Sequence, residues 1–211
     1  PYGPRFPRIG FVECLEAAKA HPHWSAPLGP NQGRGIAAGF WFNIGLSSSA
    51  AIALNEDGTV IVTEGNPDIG GSRASMAMMA AEVLGVDYER VKPLVADTES
   101  VPYSDLTGGS RVTFATGMAV TQAAQDLVKQ LRERAAKIWD VDPDQVEWRD
   151  GQAVAIETDK HKPLSIADIG RMAGKTGGPL SGKANINAQG AGAGFGVHIC
   201  DVEVDPETGY V

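Results

Sequence analysis

The chain has 211 residues, enough for one large or two small domains with a buried core. Its composition, 43% hydrophobic and 21% charged, excludes disorder as the default state. A net charge of −8 argues against a nucleic-acid binder built on a broad basic patch, and no apolar run is long enough to cross a membrane. The 26 glycines follow no triplet period, which excludes collagen and points to turns and close backbone approaches.

In chain order, FVECLEAAKA at 11–20 reads as a short helix, followed by a Pro/Gly loop from His21 to Gly33. Residues 1–33 are therefore expected to lead into a main domain at 34–211. GIAAGFWFNIG and SSAAIALNEDGTVIVTEG then form two or three strands, with Asp57-Gly58 as a hairpin turn. After a strand at 60–63, Met76, Met79, Ala80, Val83 and Leu84 make an apolar stripe at helical period, closed by Gly85. Residues 90–96 read as a strand. Val120, Ala124, Leu127, Leu131, Ala135 and Ile138 mark the longest helix, which ends before Asp142-Pro143. A hairpin turns at Asp150-Gly151, and Ser165 to Asp168 is a capping box opening a short helix to Ala173. Two Gly-rich loops, 174–182 and 190–196, precede a last strand, HICDVEVD. Hairpins dominate over a βαβ rhythm, so the expected class is α+β.

Several chemical signatures fail on inspection. Gly170-x-x-x-Gly174-Lys175-Thr176 is one residue short of a P-loop and follows a helix rather than a strand. The 190–196 run leads into a strand, so a dinucleotide would find no helix N-terminus there; a ligand-facing loop is the better reading. His21-x-His23 lacks ligand spacing, and His198 alternates with apolar residues as a packed histidine would. No G-x-S-x-G elbow is present. Cys14 and Cys200 leave one long-range disulfide open, although two cysteines make no disulfide framework and reduced thiols in a cytoplasmic protein are favoured. Asp97, Glu99 and Asp105 form either a solvated acidic loop or one wall of a site.

The informative feature is an internal echo. Gly70-Gly71-Ser72-Arg73 and Gly108-Gly109-Ser110-Arg111 are the same tetrapeptide, each expected to open a helix. A glycine pair admits close backbone approach, a helix N-terminus offers free N–H groups and positive potential, and arginine matches phosphate. Two such turns could grip one long anionic ligand. The competing reading is a pair of ordinary turns with serine caps.

At these residues the sequence resembles the molybdenum hydroxylases, the family of xanthine dehydrogenase, aldehyde oxidoreductase and carbon monoxide dehydrogenase. The resemblance runs in order through Gly10–Leu15, Gly33–Ala37, Gly65–Ser72, Ala80–Gly85, Asp97-Thr98, Thr107–Thr113, Gly117–Val120 and Val202–Gly209. It implies part of the large, molybdopterin-binding subunit. The cofactor would be molybdopterin carrying molybdenum, with the cytosine dinucleotide form left open. The reaction would be hydroxylation of a carbon centre of an aldehyde, purine or N-heterocycle, with water as oxygen source. Iron–sulfur clusters and FAD would sit on partner subunits or domains, and the remainder of the large subunit would also be a partner. Gly70, Gly71, Ser72, Arg73, Thr107, Gly108, Gly109, Ser110 and Arg111 are the expected cofactor contacts. Arg73 and Arg111 would serve phosphates, and Arg111 matches the family pattern.

Two departures accompany the resemblance. The family's loop glutamine is Gly71 here, and its catalytic glutamate, in a G-x-G-E stretch, does not occur in this sequence. The chain alone is therefore expected to be inactive, as one piece of a larger subunit. The alternative is a degenerate paralogue kept as a cofactor-binding or scaffolding module.

Overall fold

The structure is a computed structural model that describes residues 8–95, 97–156, 160–189 and 191–211, without the side chains of 191–193. It is α+β. By internal contacts the chain divides into two units, Pro1–Asn43 with Gly190–Val211, and Ile44–Gln189. The expected boundary at residue 34 falls inside a strand.

In the first unit, helix α1 (Phe11–Ala20) is followed by a single turn, α2 (Pro22–Ser25), in what reads from sequence as loop. Strand β1 (Gln32–Asn43) pairs antiparallel with β9 (Ala191–Glu203), from Gln32↔Glu203 to Asn43↔Ala191. The expected Gly-rich loop at 190–196 is thus strand from Ala191 onward, Gly190 lying outside the described residues. Partners from distant sequence satisfy that backbone, a pairing that no local pattern encodes. His198 is exposed on β9 rather than packed, and both cysteines are free. Arg34 clamps the ribbon, donating to both carboxylate oxygens of Asp201 at 2.7 and 2.8 Å and to the carbonyls of Trp24 and Ala26.

The second unit holds a four-stranded sheet in the order β4-β3-β2-β8, made of β2 (Leu46–Leu54), β3 (Val60–Glu64), β4 (Val91–Val95) and β8 (Ser181–Ala188). Asp57-Gly58 turns β2 into antiparallel β3 as expected, Gly58 taking φ +83°. Helix α3 (Ser72–Leu84) then returns the chain to β4, parallel to β3, the one βαβ step that the hairpin-dominated reading missed. Strand β8 was also missed. It pairs antiparallel with β2, starting in the last two residues of what reads from sequence as the 174–182 glycine loop and continuing to Ala188.

Helix α4 (Gly117–Trp139) carries the predicted stripe, and Val120, Ala124, Leu127, Leu131 and Ala135 are fully buried. It lies directly against β8: a Cβ added at Gly182 would come within 2.0 Å of the Ala123 carbonyl oxygen. These side chains close the core with Ile52, Val60, Val62, Met76, Leu84 and Val91. A three-stranded sheet, β5 (Val146–Arg149), β6 (Gln152–Ala155) and β7 (Leu164–Ser165), leads into α5 (Ile166–Arg171) and α6 (Ala173–Thr176). The Ser165/Asp168 capping box is present at the start of α5.

Candidate functional site

The two glycine loops lie in the second unit, the first between β3 and α3 and the second on the approach to α4. In the first, the chain leaves β3, and Gly70 and Gly71 adopt φ +64° and +83°. A Cβ at either would meet nothing within 4 Å, so backbone conformation rather than space calls for glycine there. That double left-handed step turns Ser72 inward at the start of α3. Its hydroxyl accepts from Ile69 N at 3.2 Å and donates to the Pro67 carbonyl at 3.3 Å. Asp68 caps the helix by accepting from Arg73 N at 3.1 Å. The Arg73 side chain stays half-exposed beside the same carboxylate.

The second loop places its left-handed pair one residue later, at Gly109 and Ser110, with φ +62° and +56°. Gly109 is doubly required, because a Cβ would also come within 2.4 Å of Ile44 Cδ1. Ser110 is exposed and does not cap a helix. The chain instead enters a single π turn, Val112–Thr116, that runs on into α4. π turns inserted into helices are frequent at functional sites.

Arg111, expected to face a phosphate, is instead fully buried and faces the protein. Nε donates to the Gly45 carbonyl at 2.9 Å. Nη1 donates to the carbonyls of Asp105 (2.9 Å) and Leu106 (3.3 Å). Nη2 donates to the Ser47 carbonyl (2.7 Å) and to Ser48 Oγ. All five guanidinium N–H groups are thereby engaged. Burial lowers Arg111 from its ordinary value, opposed by the nearby Asp105 charge.

A relay of buried hydrogen bonds runs on from there. Ser48 Oγ lies 3.0 Å from Thr116 Oγ1, which donates to Asn66 Oδ1 at 2.6 Å. Asn66 Nδ2 in turn donates to Thr107 Oγ1 at 3.1 Å and to the Asp105 carbonyl at 3.3 Å. Asn66 therefore joins the first loop to the second. The acidic cluster separates into two roles. Asp105 accepts from Ser47 N and from the Tyr103 hydroxyl, both at 2.7 Å, and these bonds hold its carboxyl below the usual range. Asp97 closes an exposed turn through Glu99 N and Ser100 Oγ.

Ser72, Thr107, Gly108, Ser110 and Arg111 line one cavity of about 540 Å3 together with Ile69, Val112 and Thr113. Gly70, Gly71, Arg73 and Gly109 shape or flank it without lining it. The wall offers hydroxyls, main chain and two aliphatic side chains. Its one cation, Arg111, is turned away. Sequence reasoning missed Asn66, Ser48, Thr116 and Glu64. Only Glu64 carried a local signal: it keeps step with Val60 and Val62 on the buried face of β3. Among the described residues, no cluster of three or more His, Cys, Asp or Glu side chains is placed to hold a metal ion.

A family model described as the molybdopterin cofactor-binding domain matches residues 14–211, and the chain belongs to that family. It is 34% identical over 157 residues to the aldehyde oxidoreductase molybdenum-binding subunit PaoC of Escherichia coli (strain K12), covering 70% of this chain and 21% of that protein. It is 26% identical over 216 residues to the carbon monoxide dehydrogenase large chain of Hydrogenophaga pseudoflava, covering 99% and 25%. Quinoline 2-oxidoreductase from Pseudomonas putida 86 shares the fold, with a TM-score of 0.73 at 19% identity over 94% of this chain and 27% of that one. The chain thus spans between a fifth and a quarter of the length of these two sequence relatives.

The residues present fit such a cofactor on structural grounds. A long, oxygen-rich anion needs many donors and close backbone approach. Two glycine turns, the N-terminus of α3 and the hydroxyls of Thr107, Ser110 and Thr113 provide these around one cavity.

Proposed function

We propose that this chain forms part of the molybdopterin cradle of an oxidoreductase that hydroxylates a carbon centre of an aldehyde, purine or N-heterocycle with water as oxygen source. The observation that carries this reading is the cavity shared by the two glycine loops, in a chain whose family binds molybdopterin. When bound, the molybdenum cofactor would supply the redox chemistry, and the protein would supply position and surroundings. Ser72, Thr107, Gly108 and Ser110 would contact it directly. Gly70, Gly71 and Gly109 would give it close backbone approach. Arg73 is the cation with freedom to reach a phosphate, and Arg111 would act from behind by holding Gly45, Ser47, Asp105 and Leu106 in place. The remainder of a large subunit, and iron–sulfur and FAD subunits, would complete the enzyme. Two free thiols suit a reducing compartment such as the cytoplasm.

The test is molybdenum per chain, measured on the complete natural reading frame expressed in a host that makes the cofactor. Near-stoichiometric metal is expected. Ser110→Ala, which removes an exposed hydroxyl with no partner in the protein, should lower occupancy while leaving the unfolding midpoint unchanged. Unchanged occupancy would overturn the assignment of Ser110.

A second reading has one observation in its favour. The loop glutamine expected from the resemblance is Gly71, exposed and without a side chain. A paralogue that binds or scaffolds without catalysing would tolerate that loss. A reading frame that lacks a G-x-G-E stretch would favour it.

A further inference from the structure

Glu64 is the last residue of β3 and is fully buried. Its Oε2 accepts the main-chain N–H of Asn66 at 2.6 Å. Its Oε1 has no protein partner, and neither does the buried hydroxyl of Ser104. The pairings Ala50↔Glu64 and Ser48↔Ser104 put these two groups on the same face of β2, two residues apart, because cross-strand partners project to one side.

Among the described residues, no cation compensates the carboxyl. Strand β2, the π turn and α4 as far as Gln125 contain no charged residue. Lys92 of β4 pairs with Ile61, three residues away along β3. Arg73 of α3 sits beside Asp68, and Arg111 is engaged by carbonyls. Of the acidic groups, Asp97 and Glu99 are exposed, Asp105 is bonded to Ser47 and Tyr103, and the charge on Asp68 opposes ionisation of Glu64. An ionised carboxylate in this place would be desolvated without a counter-charge, whereas the neutral acid keeps the Asn66 bond and adds a donor.

We infer that Glu64 is a positioning residue, held neutral, that fixes Asn66 and through it the spacing of the two glycine loops, so that the order of the cavity between them is linked to protonation. Asn66 carries the coupling because its side chain bonds Thr107 and the Asp105 carbonyl in the second loop and Thr116 at the entry to α4. The direction follows from burial, which raises Glu64 from 4.5 to about 7. Loop opening exposes the carboxyl and releases its proton. The closed form is therefore favoured below about 4.5 and loses ground as pH rises to about 7, after which the effect levels off. The inference concerns the protein without any cofactor, so it stands or falls apart from the proposed function.

The experiment is amide hydrogen exchange on the full chain between pH 5 and 8, corrected for intrinsic rates. Peptides covering 65–72 and 104–113 should lose protection together, by up to about tenfold per pH unit until about pH 7. The hairpin β5–β6 should not respond. Glu64→Gln, which mimics the neutral acid, should hold both loops protected at every pH. A variant that keeps the wild-type pH dependence, or a response confined to one loop, would overturn the inference. Infrared spectroscopy of the wild-type chain with 13C-labelled glutamate covers the case in which the variant does not fold. A protonated-carboxyl band persisting at pH 6 is expected, and its absence would overturn the inference equally.

Discussion

The tetrapeptide Gly-Gly-Ser-Arg occurs twice in this chain, and its two copies are folded inside out relative to each other. At 70–73 the serine is buried and the arginine reaches solvent. At 108–111 the serine is exposed and the arginine is fully enclosed. The difference is one residue of backbone. The left-handed pair is Gly70-Gly71 in the first copy and Gly109-Ser110 in the second. Moving that pair by one position reverses which of the last two side chains faces inward. Identical residues therefore do different work: the first arginine stays available to a ligand, and the second ties its own loop, at Asp105 and Leu106, to the distant segment Gly45–Ser48.

The comparison can be broken most forcefully at the arginines. Arg111→Met should destabilise the protein by about 3–5 kcal/mol, since it strands several buried carbonyls and a hydroxyl. Arg73→Met should change stability by less than about 0.5 kcal/mol, as expected for an exposed position. Urea denaturation of both variants checks this. Similar losses would show that the two copies are equivalent after all.

The glycines give a smaller contrast. Gly109→Ala should cost about 2–3 kcal/mol, from a left-handed backbone combined with the close approach to Ile44. Gly71→Ala should cost about 1 kcal/mol, from the backbone alone, because nothing crowds that position. Unfolding midpoints that rank the other way would contradict the geometry.

The last effect is in pH. With Glu64 raised to about 7 in the folded state, the unfolded chain releases this proton first, so stability should decline from about pH 4.5 to about 7 and then level. One proton limits the slope to about 1.4 kcal/mol per pH unit. Subtracting the Glu64→Gln profile from that of the wild type isolates the contribution. A flat difference would mean that Glu64 ionises in the folded protein as it does in water.

The elements of the fold that were legible in the sequence are those whose cause lies within a few residues. Helix α4 announced itself through an apolar stripe, two hairpins through Asp-Gly turns, and α5 through its capping box. The first residues of β8 and the start of β9 were hidden in glycine-rich runs, because their glycines answer to tertiary contact. Gly182 admits the backbone of α4, and β9 is strand because β1, some 150 positions earlier, supplies its partners. The candidate site divides in the same way. Ser72, Thr107, Gly108 and Ser110 were readable from the repeated motif, and they line the cavity. Asn66, Ser48 and Thr116 were not, since nothing near them in the chain distinguishes a buried relay from ordinary polar residues.

The sequence by itself determined the α+β class, the long amphipathic helix, the two glycine turns and the family to which the chain belongs. All of these rest on local periodicity, on turn chemistry or on motifs in a set order. The tertiary structure alone decided that Arg111 turns inward and that Glu64 is enclosed. Whether a charged group can be buried depends on which acceptors and dipoles the fold brings to it. For Arg111 these come from Gly45, Ser47 and Ser48, more than sixty residues back along the chain. For Glu64 no compensating charge arrives from the described residues, and the cheapest remedy left to a buried acid is to keep its proton.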